Sequence, residues 1–159
     1  SSDLLVKIIE KSKKNNFSNK INPSTKTFQA IRIFVNKEIS ELMDGISKAT
    51  KLLKPGGKIL IVSFHSIEDK IVKFFFSYFS KNKSNPSRYL PENKMDEELI
   101  FFEKYVNKVI KASKLELIKN NPSRSAKLRY AIRSKSEFSY PKNFYQKFSQ
   151  YLNLEATNV

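Results

Sequence analysis

The chain of 159 residues contains no cysteine. Disulfides and thiolate metal sites are thereby excluded, which fits a reducing compartment. A single histidine, His65, with no cysteine beside it, leaves no cluster of metal-ligating residues, and no metal is expected. Glycine is scarce, with three in all. None falls in a G-x-G-x-x-G or Walker pattern, so no phosphate-cradling loop is written in these residues. No apolar run approaches the roughly 18 residues of a membrane span, and no signal peptide is visible. The opening SSDLL lacks a methionine, which reads as a fragment or a processed chain. Acidic residues are also few: 15 Asp plus Glu against 30 Lys plus Arg, a formal charge of +15.

That excess is the electrostatic footprint of a nucleic-acid binder. Five of the cations are arginines, at 32, 88, 124, 129 and 133. The abundance of Lys, Asn, Ile and Phe also fits an AT-rich genome, so part of the charge has a coding origin. The arginines are the more informative, because a planar guanidinium grips a phosphate or a base edge bidentately and Lys does not. The length suffices for one domain with a proper core.

Along the chain, Leu4, Leu5, Ile8 and Ile9 recur at helical spacing over residues 2–12, with Ser2 or Asp3 as N-cap. Residues 13–22 read as a loop. Asn22-Pro23 reads as the start of a long helix. Its apolar stripe is Phe28, Ile31, Val35, Ile39, Leu42 and Ile46, with Gln29, Arg32, Asn36 and Ser40 alongside. Gly45 is the expected bend in it, and KPGG ends it at Lys54. KILIVSF at 58–64 is almost continuously apolar, which predicts a strand buried on both faces in a parallel sheet. Ser66 is placed to cap an aromatic helix over 67–79, with Glu68 and Asp69 in its first turn. A loop through Pro86 and Pro91 follows, then a strand at 101–110 and a Ser113–Glu116 capping box. Residues 126–133 alternate: Leu128, Tyr130 and Ile132 against Lys127, Arg129 and Arg133, a half-exposed antiparallel strand. Residues 142–153 fit one more amphipathic helix through Phe144, Phe148 and Tyr151. The order resembles the second half of an open α/β sheet with an antiparallel edge.

Four groups could carry chemistry. Ser63, His65, Ser66, Glu68 and Asp69 lie just past a strand end, where open α/β sheets place ligands; a helix cap with an incidental His is the plainer alternative. Thr27 to Glu38 puts Gln29, Arg32 and Asn36 on one helix face, fit for base edges or phosphates, or merely solvated. Asn121 to Arg133 offers Arg124, Ser125, Arg129 and Arg133 as a phosphate-contacting edge, or as charges that protect an edge strand. Lys54-Pro55-Gly56-Gly57 reads only as a strand-entry turn.

Three motifs in order, NPSTKTFQAIRIFVNKEI, GGKILIVSFHSIEDKIVKFF and NPSRSAKLRYAIRS, resemble the bacterial 16S ribosomal RNA (cytosine-N4) methyltransferase family, RsmH/MraW. The resemblance covers about residues 3–134 and concerns the C-terminal half of that family. It implies a Rossmann-like α/β sheet with an inserted helical domain. Residues 1–22 are then the end of the insert, 23–133 the second half of the catalytic domain, and 134–159 a tail that extends past the family. The implied activity is methyl transfer from S-adenosylmethionine to N4 of cytosine 1402 in 16S rRNA. The implied partner is the small ribosomal subunit in the cytoplasm, with no membrane and with room for a homodimer. Ser63, His65 and Ser66, from their position at the strand end, are expected to border the cytosine and cofactor pocket as the catalytic residues. Thr27, Phe28, Gln29, Arg32, Asn36, Arg124, Ser125 and Arg129 are the implied RNA-binding ones.

The sequence departs from the family in three ways. The glycine-rich cofactor loop and the acidic residue for the cofactor ribose have no counterpart in these residues, so the chain by itself is expected to be inactive and not to bind S-adenosylmethionine. The turn at 121–125 is one residue short of Asn-Pro-Arg-x-Arg-Ser, with Ser123 where an Arg is expected. Residues 135–159 have no assigned role. The readings that compete are a non-catalytic basic rRNA-binding module and a related methyltransferase with another substrate.

Overall fold

A computed structural model describes residues 2–12, 24–80 and 100–156. In chain order these form α1 (Ser2–Ser12), α2 (Thr25–Val35), α3 (Glu38–Leu52), β1 (Lys58–Ser63), α4 (Ser66–Tyr78), β2 (Phe102–Tyr105), β3 (Ile110–Lys111), α5 (Lys114–Lys119), a 3-10 turn (Asn121–Ser125), β4 (Lys127–Arg133), α6 (Lys142–Lys147) and α7 (Ser149–Ala156). The loop expected at 13–22, the helix start at Asn22-Pro23 and the loop through Pro86 and Pro91 lie outside the described residues. Two compact units result, residues 1–41 with 150–159 and residues 42–149.

In the first unit, α1 buries Ile9 and exposes Leu4 and Ile8. The long helix expected from 23 to 54 is in fact two. The break falls at Asn36-Lys37, where Lys37 takes a φ of 51°, while Gly45 sits inside α3. A lysine in the left-handed region costs about 1 kcal/mol, so something must hold the break. Asn36 closes α2 by donating its N–H to the Arg32 carbonyl, and α3 receives an N-terminal cap from far along the chain. The Glu155 carboxylate accepts the N–H groups of Ile39 and Ser40, each at 2.9 Å, and the Ser40 hydroxyl. Two orphan amides of a helix start are thus satisfied by one buried carboxylate, which the helix dipole also favours.

The second unit is built on an antiparallel sheet in the order β1-β4-β2, with β3 also pairing β4. β1 meets β4 from Lys58↔Ile132 to Ser63↔Lys127. The expectation of a parallel strand buried on both faces is therefore corrected. Ile59 and Ser63 are buried, but Leu60 and Val62 between them are 60% and 53% exposed. The other long edge of β1 has no partner strand among the described residues. The strand expected at 101–110 is split into β2 and β3, and the Ser113 hydroxyl caps α5 as its spacing predicts, 3.1 Å from Glu116 N.

α4 lies on the sheet through Ile71, Val72, Phe75 and Phe76. Phe75 is the centre of an aromatic cluster, 5.0 Å from Phe79, 5.9 Å from Phe102 and 4.7 Å from Phe144. Phe144 belongs to the tail, so part of the segment past residue 134 is core. The tail's expected single helix is two short ones, parted at buried Phe148.

Candidate functional site at the end of β1

β1 delivers its last residues to the start of α4. Ser63 is buried, its hydroxyl 3.4 Å from the Lys127 carbonyl. Phe64 follows and is 57% exposed. His65 is the N-cap of α4, and Ser66, expected in that role, is the first helical residue. The His65 Nδ1 accepts from the Glu68 N–H at 3.3 Å. Glu68 answers through Oε2, which accepts from the N–H groups of Phe64 (2.9 Å) and His65 (3.3 Å). This is a capping box with imidazole in the usual place of a hydroxyl. An Nδ1 that accepts fixes the neutral ring's proton on Nε2, and Nε2 lies 3.2 Å from Glu68 Oε1. The cap and the polar strand end are one structure, and both ring nitrogens face Glu68.

One turn further, Asp69 meets β4. Arg129 donates Nε to Asp69 Oδ1 at 2.7 Å and Nη2 to Oδ2 at 3.3 Å. Its Nη1 donates to the Tyr105 hydroxyl at 3.0 Å and to the Asn107 carbonyl at 2.9 Å. Lys127 Nζ adds a contact of 3.2 Å to Asp69. Burial pushes the Asp69 carboxyl up, but hydrogen bonds and charge from Arg129 and Lys127 outweigh it and hold the value below the ordinary one. Burial disfavours the charged Arg129 guanidinium too, and Asp69 and Tyr105 together more than restore it. Burial raises Tyr105, against the pull of Arg129.

The face of β4 that carries Arg129 and Arg133 is therefore the covered one, not the solvent face the alternation suggested. Arg129 and Arg133 are 6% and 4% exposed. Arg133 has no carboxylate partner among the described residues. It donates to the carbonyls of Thr50, Phe101, Ser134 and Ser136 and stands 5.8 Å over the Phe101 ring. Burial lowers its pKa. These two arginines tie elements of the second unit together.

Arg124 and Ser125 are exposed on the 3-10 turn, with Arg124 Nη1 3.4 Å from Asn121 Oδ1. In the first unit, Thr27 and Gln29 are half-buried, Phe28 is 36% exposed, and Arg32 and Asn36 are exposed. Arg32 binds Glu38 through both carboxylate oxygens, at 2.8 and 3.2 Å, and Asn36 donates to the same Glu38. Arg32 and Asn36 are thus brought together, though by an acid that partly neutralises Arg32. S-adenosylmethionine finds no glycine cradle among the described residues. Gly45 is inside α3, and Gly56 and Gly57 form the turn into β1, where Gly56 donates to the Arg133 carbonyl. Tyr105, Asn107 and Glu155 gave no local signal, since their partners are 24, 22 and 116 residues away. The Asp69–Arg129 pair had one weak signal, an acid in the first turn of a helix and a base on a strand that follows.

Comparison with known proteins bears out the resemblance read from the three motifs. A family model described as the MraW methylase family matches residues 1–134. A protein of Bartonella henselae named ribosomal RNA small subunit methyltransferase H is 48% identical over 118 residues, 74% of this chain and 33% of that protein. One of the same name from Parvibaculum lavamentivorans is 42% identical over 132 residues, 83% of this chain and 37% of that protein. Another, from Rhodopseudomonas palustris, is 47% identical over 114 residues, covering 72% and 34%. The chain spans about a third of the length of the curated relatives it matches. It belongs to the MraW methylase family.

Proposed function

We propose that this chain is the C-terminal part of a methyltransferase that acts on small-subunit ribosomal RNA, at the exocyclic N4 of cytosine 1402. The observation that carries the reading is 42–48% identity to proteins named ribosomal RNA small subunit methyltransferase H. In this reading residues 1–22 end an inserted helical domain, 23–133 complete the catalytic domain, and 134–159 are an added tail. The unpaired edge of β1 and its bare side chains Leu60 and Val62 support the assignment, because an apolar edge strand needs a cover. The remainder of a Rossmann-like sheet, in the longer protein, is the cover proposed. The glycine cradle for S-adenosylmethionine, the methyl donor, belongs there too. The 159-residue chain alone is inactive on this account and binds no S-adenosylmethionine; micromolar binding seen by calorimetry would contradict that.

What these residues contribute is placement. The N4 lone pair of cytosine is delocalised into the ring, so the amino group must be aligned and its hydrogens accepted. Ser66 offers an exposed hydroxyl acceptor just past the strand end where Ser63 is buried, and Phe64 offers an exposed ring against which a base leaving its stack can rest. His65 fixes the turn that sets these groups, and its imidazole borders the base. Thr27, Phe28, Gln29, Arg32 and Asn36, with Arg124 and Ser125, meet the RNA. Arg129 acts through Asp69 as a positioning residue.

Two substitutions in the longer protein separate the roles of His65. Asn is a good N-cap, so His65→Asn keeps the cap while removing the ring, whereas His65→Ala loses both. Methyl transfer is expected to fall at least about tenfold in both variants, because a base that loses the ring beside it loses alignment. Near-normal turnover in His65→Asn would reduce His65 to a cap.

A further inference from the structure

The tail past the family match carries an aromatic feature that neither the core nor the capping network uses. The Tyr140 ring stacks on Tyr145 at a centroid distance of 5.1 Å and an interplanar angle of 11°. It is nevertheless 60% exposed. Tyr145 covers one face, so the exposure belongs to the other face and the edge. Tyr145 is itself fixed. Its hydroxyl donates to Asp44 at 2.8 Å, and burial pushes its pKa up to about 12, so it remains a neutral donor. The chain between the two rings is equally set. Pro141 is buried, Lys142 N donates to the Tyr140 carbonyl, and Phe144 is locked in the core.

Beside the Tyr140 ring is a cavity of about 160 Å³ lined by Phe79, Tyr140, Pro141, Lys142 and Asn143. That is well below the roughly 300 Å³ at which drug-sized sites begin, so it admits a single ring and not a whole cofactor. Asn143 donates Nδ2 to the Tyr78 hydroxyl at 2.8 Å. Its amide oxygen carries no bond among the described residues. Lys142 is exposed at the rim, on a chain of charge +15. A rigid aromatic face, an amide acceptor and a cation at one rim form a stacking platform for single-stranded nucleic acid, where every base has a π-face to offer.

We infer that Tyr140, with Asn143 and Lys142, is a base-stacking subsite that holds an unpaired nucleotide of RNA. The inference rests on the reading that this chain meets rRNA. It adds a contact outside the matched residues 1–134. The platform gives the tail a second task beside packing, which is to grip RNA away from the methylated base.

The test is fluorescence anisotropy with a 5′-labelled single-stranded oligoribonucleotide and the 159-residue chain, over a series of salt concentrations. Tyr140→Ala is expected to weaken binding at least about fivefold, and Tyr140→Phe to stay within about twofold, because the ring is retained. The salt slope should be unchanged in both, since no phosphate contact is removed. Circular dichroism and melting of each variant check that the fold is intact. Salt-dependent binding that persists undiminished in Tyr140→Ala overturns the platform alone. An unsubstituted chain with no salt-dependent RNA binding overturns both the platform and the RNA-contact reading of this chain.

Discussion

Arg129 and Asp69 show how a buried charge pair is obliged to stay intact. Four hydrogen bonds leave Arg129, and its side chain is 6% exposed. Removing one partner strands the other in a covered place, at a cost of about 3 kcal/mol. Chemical denaturation of Asp69→Ala should show that loss, and unchanged stability would mean the pair is solvated. The pair also sets an acid-side signature. The folded value of Asp69 lies below its unfolded value. Between the two, the unfolded chain binds the extra proton, so lowering the pH favours unfolding. This contribution is complete above about pH 4, the unfolded range, and is lost as the pH falls through the lower folded value. Asp69→Asn should flatten that part of the curve of melting temperature against pH. At this scale the sequence was legible in type and illegible in direction. Alternation at 127–133 shows two faces of a strand, but it assigns the charged face to solvent by default. Only the tertiary partners, Asp69 for Arg129 and four backbone carbonyls for Arg133, reverse the assignment.

The three glycines separate by environment at the level of the elements. A Cβ at Gly45, inside α3, would meet nothing within 4 Å, whereas one at Gly57 would stand 2.8 Å from the Lys54 carbonyl oxygen and from Leu53. Gly45→Ala should therefore raise stability by about 1 kcal/mol, the helix-propensity difference. Gly57→Ala should lower it, because backbone must shift. If both changes act alike in denaturant melts, the two environments are wrongly drawn. The N-terminus of α3 offers a second check. Glu155→Gln keeps the shape but removes the charge that faces two amides, and hydrogen exchange at Ile39 and Ser40 should accelerate. Unchanged protection would show that the tail does not cap that helix. Most helices could be read from apolar spacing, as could the cap of α5. The break at Asn36-Lys37 could not, because its cause, Glu155, is more than a hundred residues along the chain. The continuous apolar run of β1 misled in another way. It reads as burial on both faces, while the described sheet covers Ile59 and Ser63 and leaves Leu60 and Val62 bare.

On the scale of the whole molecule, the charge of +15, the family match over residues 1–134 and the coverage of about a third of each relative point the same way. The motifs that identified the family were legible because each is a continuous stretch of sequence: one on α2 and the start of α3, one from the turn into β1 through α4, and one on the 3-10 turn and β4. The account of function stands on a longer polypeptide that supplies the cofactor cradle and the cover for β1. In that polypeptide no helix of the described part is long and apolar enough to cross a membrane. The most direct test is methyl transfer by the longer protein from labelled S-adenosylmethionine to small ribosomal subunits, with the product mapped by mass spectrometry. The account predicts one methyl group on the exocyclic N4 of cytosine 1402, transferred at least about tenfold more slowly in His65→Asn. Transfer to another base or to protein, or no transfer at all, would contradict it.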